Sequence, residues 1–564
     1  MFRRKRAQKS IFDHDVYLPT DRIKALENTW AGAFRRRVLP MIDEEPFRAF
    51  YCVDNGRPNV AVSIMIGLCI LKEMHRLTDQ EVLGCLEFDL RWQYAFDINA
   101  FEGHICQKTL HNFRTLVTSN NKARELFTGI TDKIIETAGL STEKQRLDST
   151  HIISNMSNLS RLALFVRTIE GFLRRLEKKH PEVYEELPSL FDKVYRKRSG
   201  YFADVKSSRA KRRLGKCAGH LAQLVGRFRG DQQIRGMKAY RLMERLFEEQ
   251  CQMSEGLPEK VIVKESKEIC ADSLQNPSDP DATYGRKGKG YKASISETCA
   301  KANVFQVITD VDVEAAYTSD QKDVGPVIDR LEHRGHKPGE LFCDAGYASG
   351  ENIVDAQAKG VELTAPITCG TAPDLNEMQL SDFEVNADGS EVISCIQGHA
   401  PLECKALDEG KATEAIFYAE HCSGCEFLPV CLVKRLKGGG YRLRYKRKDM
   451  ATSRRRKQQE TDDFKERYKI RSGIEATISE AARVTGLKRI WTRGKNRVTM
   501  SVYMKALAIN IKRFVQNEVE KDKEAIAYLT GRLLTSLSHL FLSIYLAFRR
   551  KCRHWYSYRL ADSG

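Results

Sequence analysis

The stretch from residue 291 to residue 344 restricts the possible folds of this chain more than any other part of its sequence. Residues 291–298 alternate as a strand does, and residues 304–313 form a second predicted strand after a turn, which indicates a hairpin. A helix over residues 324–331 comes next, followed by a short apolar strand over residues 341–343. Strands followed by a helix and a further strand predict a mixed α/β domain.

The first 135 residues have a different pattern and are predicted to be helical. Thr78 and Glu81 have the spacing of a capping box, an apolar run over residues 60–71 precedes them, and a further helix is predicted over residues 110–117. Several short helices in a basic protein fit two interpretations equally well. One is a DNA-binding unit of the helix-turn-helix type, and the other is a plain helical bundle.

The charge balance indicates a polyanionic partner. The chain of 564 residues has 92 Lys and Arg against 75 Asp and Glu, a formal net charge of +17. Such a balance favours nucleic acid as the first candidate partner. Basic runs lie at residues 196–213 and 434–457; a phosphate-contacting surface and a merely solvated face fit each run about equally. The hydrophobic fraction of 42% excludes wholesale disorder.

Three acidic residues stand out by their context. Asp148 follows Leu147 at the end of a strand predicted over residues 146–153, and Asp344 ends the strand over residues 341–343. Glu475 lies in a helix predicted over residues 464–485. An acid at the end of an apolar strand is costly to desolvate without a partner, and ligands gather at strand ends in open α/β sheets.

Each of these acids also has an ordinary interpretation. Asp148 or Asp344 alone fits a cap or an ion pair, and Glu475 fits an i,i+4 pair with Arg471. Together they fit a site for hard divalent ions, because Mg²⁺ prefers oxygen ligands. Two such ions serve phosphodiester chemistry by activating the attacking oxygen and stabilising the leaving one.

These motifs, in this order, resemble bacterial insertion-sequence transposases of the DDE superfamily. The resemblance covers most of residues 10–515. In the catalytic part, the matching pieces are Leu147-Asp148-Ser149-Thr150-His151, Cys343-Asp344-Ala345-Gly346-Tyr347 and Tyr468-x2-Arg471-x3-Glu475. The third piece resembles the Tyr-Arg-Glu-Lys signature of one large transposase group. The helical domain that precedes the catalytic domain in these enzymes is matched by Gly56-Arg57-Pro58 and Thr109-Leu110-x2-Phe113-Arg114.

The resemblance implies a fold and a domain order. The fold is an α/β ribonuclease H-like catalytic core with a mixed sheet, an N-terminal all-α domain, a helical insertion and a cysteine-containing insertion. The predicted parts are a helical DNA-binding domain over 1–135, a catalytic core over 140–365 and 460–515, a basic helical insertion over about 156–270, a cysteine-containing basic insertion over 366–459 and a helical tail over 516–564.

The resemblance also implies site residues. Asp148, Asp344 and Glu475 would hold two Mg²⁺ or Mn²⁺ ions, and Tyr468 and Arg471 would contact the transposon end. The signature lysine falls on Ala482 in this chain, which places that contact in doubt. The candidates to replace it are Arg483, Lys488 and Arg493. Trp491 would stack on an unpaired base at the end, with a buried core tryptophan as the alternative.

A cysteine cluster lies between two of the three acids. Cys422-x2-Cys425-x5-Cys431, with Cys395 upstream, offers four thiolates of the kind that suit tetrahedral Zn²⁺, and similar cysteine-bearing insertions occur in a subgroup of these transposases. Alternative fourth ligands are Cys404, His399 and His421. We expect a structural zinc separate from the Mg²⁺ site, because sulfur does not select Mg²⁺. Buried free thiols and redox chemistry are the alternatives.

The sequence therefore predicts a DNA transposase that frees a 3′-hydroxyl at the transposon end and joins it to target DNA. Its partners would be double-stranded DNA, as terminal inverted repeats and target, and further copies in a dimer or larger synaptic oligomer. The alternatives are a catalytically inactive DNA-binding protein and a ribonuclease H-like nuclease without strand transfer. No export signal follows the basic N-terminus and residues 533–548 are too short a span, so we expect a cytoplasmic, nucleoid-associated bacterial protein without a membrane partner.

Overall fold

The computed structural model describes residues 1–5, 13–52, 55–56, 58–99, 101–196, 207–254, 257–368 and 377–561. Parts of two predicted features fall outside it: Arg57 of the N-terminal motif and residues 197–206 of the first basic run. Most side chains of the apolar stretch 533–548 also lie outside the description. The chain divides into two compact units, one made of residues 1–72, 77–114 and 510–564, and the other of residues 73–76 and 115–509.

The N-terminal residues are helical, as predicted. The helices are His14–Tyr17, Thr20–Glu27, Trp30–Ala33, Val62–Met74, Asp79–Phe88, Leu90–Phe96, Gln107–Ser119 and Lys122–Ala138. Shorter π-helical and 3₁₀ turns lie at Phe34–Val38, Leu39–Met41 and Glu45–Phe50. The helix Val62–Met74 is buried on every side from Val62 to Leu71, which explains why its sequence is a continuous apolar run and not an amphipathic one.

Two local features fix these helices. The capping box predicted at Thr78 is confirmed: Glu81 N donates to Thr78 Oγ1 at 3.2 Å, and Thr78 N donates to Glu81 Oε2 at 2.7 Å. Gly67 lies where the helix Val62–Met74 meets Phe96, and a Cβ at this position would overlap Phe96 Cε1. The close approach of the two helices therefore requires glycine at position 67.

The second unit is built on a mixed sheet. Its five main strands are β1 (Lys144–Ile152), β2 (Gly288–Thr298), β3 (Ile308–Ala315), β4 (Glu340–Cys343) and β5 (Glu362–Thr364), and a short strand, Thr283–Gly285, also pairs with β2. The order is β3-β2-β1-β4-β5. Strand β2 is antiparallel to β1 and β3, whereas β4 is parallel to β1 and β5 is parallel to β4.

The sheet is covered by helices on both faces. Helices Val324–His333 and Gly350–Ala358 pack around Leu147, Leu341 and Leu363. Helix Gly473–Thr485 lies against β1 on the opposite face, where Arg146 forms a buried ion pair with Glu297 at 2.6 Å. A guanidinium and a carboxylate here replace apolar contacts between the helix and the sheet.

A helical segment with its own core separates β1 from β2. Its helices are Arg161–Lys179, Pro181–Glu185, Ser189–Phe191, Ser207–Phe228, Gln232–Arg235 and Lys238–Gln250, followed by a hairpin of Cys251–Ser254 and Leu257–Val263. Helix Arg161–Lys179 buries one apolar face in this core, including Ile169, Phe172 and Leu176. The amphipathic period of this segment therefore reflects a local core and not the central sheet.

The cysteine-containing segment forms small sheets of its own. The first is Glu403–Leu407, Ala412–Phe417, Tyr441–Lys446 and Lys434–Arg435, and the second is Glu384–Val385 with Val392–Ser394. Two helices belong to this segment, Ala419–Ser423 and Arg447–Gln458. They pack around Phe417, Leu443 and Met450 in a core distinct from that of the central sheet.

The last part of the chain is helical but not as predicted. Instead of one helix over residues 464–485, the structure has Asp462–Tyr468, a 3₁₀ turn at Lys469–Ser472 and Gly473–Thr485. The reason is Arg146, whose Nη1 binds the Ile470 carbonyl oxygen at 3.0 Å and lies against Gly473. Helix Lys495–Ala561 follows and includes the segment predicted as a tail. Among the described residues, no helix is long and apolar enough to cross a membrane.

Candidate active site

Asp148 lies in the middle of β1 and not at its end, so the predicted position is wrong in this detail. Strand β1 continues to Ile152 because β2 pairs with it along this whole length, Asp148 opposite Ile295. The Asp148 side chain is 14% exposed, and its Oδ1 accepts a hydrogen bond from Ser149 N at 2.7 Å. Burial raises the pKa of Asp148, and the nearby charge of Asp344 adds to this shift.

Asp344 follows β4 directly, as predicted. Strand β4 is the parallel neighbour of β1, with Cys343 opposite Leu147, so the pairing of the two strands brings Asp344 to Asp148. Asp344 Oδ1 accepts a hydrogen bond from Gly346 N at 2.6 Å, which fixes the orientation of this carboxylate. Glu475 comes from a third element, the first turn of helix Gly473–Thr485, and is exposed.

One guanidinium joins the three acids. Arg471 Nη2 lies 2.9 Å from Asp148 Oδ2 and 4.0 Å from Asp344 Oδ2, and its Nη1 lies 2.7 Å from Glu475 Oε1. The predicted Arg471–Glu475 pair is therefore confirmed, but it is one arm of a three-way contact. The Arg471 side chain is only 17% exposed. Three carboxylates from a strand, a loop and a helix thus face one cationic position.

Tyr468 stabilises the same site through a contact with the backbone of β4. Its hydroxyl donates a hydrogen bond to the carbonyl oxygen of Cys343 at 3.0 Å, and its ring stacks on Phe464 with centroids 5.7 Å apart. Burial raises the pKa of Tyr468 to about 12, so the hydroxyl remains a donor at neutral pH. The contact holds the end of β4, and with it Asp344, against the turn that carries Arg471.

The loop after helix Gly473–Thr485 carries the other residues predicted to bind DNA. It docks on the end of β1, where Ile153 N donates to Lys488 O at 2.9 Å and Ile490 N donates to Ile153 O at 3.0 Å. Lys488 and Arg493 are exposed, and Arg493 Nε donates to the carbonyl of Asn155. Trp491 is 53% exposed, so the alternative of a buried core tryptophan is wrong.

The acids fit a divalent cation by charge and by donor type. Among the described residues, no group of three or more His, Cys, Asp or Glu side chains has the spacing of a formed metal site. The triad carboxylates are instead held by Arg471, whose positive charge lies at their common centre. Oxygen donors around a cationic position are what Mg²⁺ and Mn²⁺ require, so the donor set is suitable once the guanidinium moves away.

A second charged cluster, which the sequence reasoning missed, lies beside this site on β2. Lys292 is 8% exposed, and its Nζ lies 2.9 Å from Asp323 Oδ2, 3.3 Å from Glu314 Oε2 and 3.4 Å from Asp320 Oδ1. Nothing in the local sequence marks these residues, because they meet only after β2, β3 and the following helix have packed. The one available signal was a lysine within an otherwise buried strand.

The four predicted cysteines face one small cavity. Cys395, Cys422, Cys425 and Cys431 line a space of about 30 Å³, together with His399 and His421, whose rings stack with centroids 4.2 Å apart. Burial raises the pKa of Cys422 to about 11, and the other three thiols add to the shift. Cys404 is not part of the lining. The four cysteines of the predicted motif therefore lie around one cavity.

Two arginines of the second basic run are used inside the protein, whereas most of the other Lys and Arg side chains of this run are exposed. Arg455 is buried and donates to the carbonyls of Leu363 and Ala365, and Arg454 donates to the carbonyls of Val385 and Asn386. These two side chains connect helix Arg447–Gln458 to neighbouring strands. Arg454 and Arg455 therefore have a structural role, and fewer cations of this run are available to contact a DNA backbone.

Comparison with known proteins finds similarity to transposases over two parts of the chain. A family model described as Transposase DDE domain matches residues 394–515, and one described as Transposase domain (DUF772) matches residues 23–116. Both models describe transposases. Together they support an insertion-sequence transposase of the DDE type, a family that implies an enzyme of DNA transposition, binding to transposon ends and use of divalent metal ions.

The two matches leave part of the site uncovered. Glu475, Tyr468, Arg471 and the four cysteines lie within residues 394–515, whereas Asp148 and Asp344 lie outside both matched ranges. No curated protein and no solved structure matches the chain. The grouping of the three acids therefore rests on the geometry of the fold itself.

Proposed function

We propose that this protein cuts DNA at transposon ends and joins the freed 3′-hydroxyl to target DNA by two-metal-ion phosphoryl transfer. The observation that carries the proposal is the meeting of Asp148, Asp344 and Glu475 at the single guanidinium of Arg471. Acids from three separate elements tolerate such proximity only with a cation between them. The site is therefore built to hold positive charge at one point.

The sheet order supports a ribonuclease H-like core. Three antiparallel strands, β1, β2 and β3, are followed by two parallel strands, β4 and β5, on the other side of β1. In this arrangement β1 is central, and its carboxylate lies next to the end of the first parallel neighbour. The proposed core comprises residues 140–365 and 460–515, interrupted by the helical and the cysteine-containing insertions.

Asp148, Asp344 and Glu475 would hold the divalent ions, Mg²⁺ or Mn²⁺. When bound there, two such ions supply an activated oxygen nucleophile and stabilise the leaving oxygen. Arg471 then leaves the acids, and its guanidinium becomes available for a phosphate, which it can bind in a bidentate manner. Tyr468 keeps Asp344 in place through the carbonyl of Cys343.

The DNA-binding residues proposed beside the acids are Tyr468, Arg471, Lys488, Trp491 and Arg493. The exposure of Trp491 supports stacking on an unpaired base, and the exposed ammonium of Lys488 supports a backbone contact in place of the lysine absent at Ala482. Because a transposition reaction joins two ends, we expect a dimer or a larger synaptic oligomer on terminal inverted repeats and target DNA.

The test is cleavage of DNA that carries the terminal repeats of the element. We expect nicking at the repeat ends in Mg²⁺ or Mn²⁺ and joined products with a target plasmid, with both lost in Asp148→Asn. An Asp148→Asn variant that cleaves like the parent protein would show that the site is assigned wrongly. Cleavage without joined products would favour the nuclease alternative. Binding without cleavage would favour the inactive DNA-binding protein, an alternative that follows from Ala482 at the position of the signature lysine.

We propose separately that Cys395, Cys422, Cys425 and Cys431 bind a structural Zn²⁺. Their common cavity supports this proposal, as does the buried Nδ1 of His421, which has no hydrogen-bond partner among the residues that the structure describes. The purified protein should contain about one zinc per chain by elemental analysis, and Cys422→Ser with Cys425→Ser should remove it. Cys404→Ser is the matched control, because Cys404 does not line the cavity. A zinc-free parent protein with four reactive thiols would refute the proposal.

A further inference from the structure

The charged cluster on β2 contains more negative charge than its lysine can satisfy. Lys292 donates to both oxygens of Asp323, at 3.0 and 2.9 Å, and to the carbonyl of Ser319 at 3.4 Å. These contacts use its three N–H groups. Glu314 Oε2 and Asp320 Oδ1 are buried and have no hydrogen-bond partner within the described part of the chain. Asp320 is thus attracted by Lys292 but not bound by it.

Asp320 reaches toward the catalytic acids across Gly346. A Cβ added at Gly346 would lie 2.9 Å from Asp344 Oδ1 and 3.6 Å from Asp320 Oδ2. The two carboxylate oxygens therefore flank one atom-sized space, which exists because residue 346 is glycine. Two acids of like charge around such a space repel one another unless a cation lies between them.

The hydroxyl of Tyr347 is a second unsatisfied polar group close enough to Asp320 to interact with its charge. Tyr347 is 0% exposed, and its hydroxyl oxygen has no hydrogen-bond partner in the described structure. Burial raises the pKa of Tyr347 well above its ordinary value, with further contributions from the charges of Asp320, Asp323 and Asp148. A buried hydroxyl without a partner is unfavourable, and a metal-bound water among these carboxylates would satisfy it.

We propose that Asp320 is a fourth carboxylate of the divalent-ion site and shares an ion with Asp344 across Gly346. This inference rests on the proposed function, because it adds a ligand to the same site. Asp320 is one-third exposed, so an ion has access to it from solvent. Asp323, in contrast, is fully used by Lys292 and Ser294 and remains a structural partner.

The test is Mn²⁺ binding to the full-length protein, measured by calorimetry without DNA. Asp320→Asn should weaken the tighter binding event about tenfold, and Gly346→Ala should do the same because its Cβ fills the space between the carboxylates. Asp329→Asn is the matched control, since Asp329 is an exposed acid nine residues further on, in helix Val324–His333, that pairs with Lys359. It should bind Mn²⁺ like the parent protein.

The two proposals fail in distinguishable ways. If Asp148→Asn abolishes Mn²⁺ binding while Asp320→Asn and Gly346→Ala bind like the parent, Asp320 is not a ligand and the proposed function remains. If Asp148→Asn itself binds like the parent, the proposed function fails. Should Asp320→Asn unfold, as seen by circular dichroism, Asp320→Ser takes its place, because Gly346→Ala also presses on Asp344 Oδ1 and cannot separate the two carboxylates.

Discussion

At the scale of single residues, Arg471 is the cation that allows the three acids to lie close together in the metal-free protein. Asp148 is largely buried, and two further carboxylates lie around the same point. Without a nearby cation, the close approach of these like charges would oppose folding. The guanidinium offsets this repulsion, so the acids can be assembled before an ion arrives. In the proposed function, the same side chain would move away when an ion binds, so the metal affinity would be a difference between two cationic partners.

Replacing Arg471 by Gln should therefore destabilise the metal-free protein by a few kcal/mol, on the order expected when one partner of a largely buried ion pair is removed. Mg²⁺ should raise the melting temperature of Arg471→Gln more than that of the parent, because the ion then meets no competitor. Thermal unfolding with and without Mg²⁺ measures both effects. Lys469→Gln, which breaks an exposed pair with Glu466, is the control and should change neither. Equal Mg²⁺ shifts in Arg471→Gln and the parent would contradict this account.

At the scale of elements, two glycines in neighbouring helices have opposite roles. Gly67 lies in the buried helix Val62–Met74 against Phe96, whereas Gly84 lies in helix Asp79–Phe88 with no atom within 4 Å of where its Cβ would be. The difference is one of packing and not of backbone conformation. Only the first glycine is required by the fold.

We expect Gly67→Ala to cost about 1–3 kcal/mol of unfolding free energy through overpacking. Gly84→Ala should be neutral or stabilise by up to about 1 kcal/mol, because alanine favours the helix. Urea unfolding followed by circular dichroism compares the two variants directly. A Gly67→Ala protein as stable as Gly84→Ala would show that the two helices do not meet as described.

The start of helix Asp79–Phe88 should make stability depend on pH. Burial alone would raise the pKa of Asp79, but the hydrogen bonds and charge of Arg114, with the charge of Lys72, outweigh it and hold the pKa below its ordinary value. A carboxyl with a lowered folded pKa stabilises the protein above its unfolded pKa, and this stabilisation is lost as pH falls through the folded pKa. Asp79→Asn should thus be destabilised relative to the parent at neutral pH, and the difference should shrink below about pH 4.

Melting temperatures of Asp79→Asn and the parent across this pH range measure the effect. Arg114→Gln should lose the same pH-dependent part of stability, since it removes the other half of the pair. A stability difference between Asp79→Asn and the parent that stays constant down to about pH 3 would contradict the assignment.

The elements themselves were largely predictable, and the contacts between them were not. Alternation gave β2 correctly, but β3 begins at Ile308 and not at residue 304, because Val307 N binds Thr298 Oγ1 in the turn. The predicted helix over residues 464–485 failed for a similar reason, since the interruption depends on Arg146, more than 300 residues earlier. The local sequence pattern indicates secondary-structure propensity and periodicity. Side-chain contacts between distant residues form only in the folded chain, so the pattern does not predict them.

At the scale of the whole molecule, the net charge of +17 is unevenly used. Arg454 and Arg455 bind backbone carbonyls inside the protein, whereas Lys488 is exposed in the loop after helix Gly473–Thr485. The three proposed catalytic acids could be chosen from sequence context, but Asp320 could not, because its position depends on long-range strand pairing. Composition therefore predicts attraction to DNA, whereas only the fold indicates which Lys and Arg side chains are available to contact DNA.

DNA binding should weaken steeply as salt rises, roughly a thousandfold between about 50 and 200 mM if about six phosphates are neutralised. Lys488→Ala should lower the slope of log affinity against log salt by about one. Lys359→Ala, which removes a partly exposed lysine paired with Asp329, is the control and should leave the slope unchanged. Fluorescence anisotropy with labelled terminal-repeat DNA gives these slopes. A salt-independent affinity would contradict a backbone-binding role.

The central position of β1 also has a consequence for how the chain is made. Its two neighbours are β2 and β4, so β1 leaves the ribosome long before Glu340–Cys343 exists. At synthesis rates of about 5 to 20 residues per second, that delay is roughly 10 to 40 s. The helical segment between β1 and β2 has its own core and can fold during this wait. The nascent protein thus carries β1 without its second partner strand until β4 has been made, and all three acids are together only when the Glu475 helix, Gly473–Thr485, emerges.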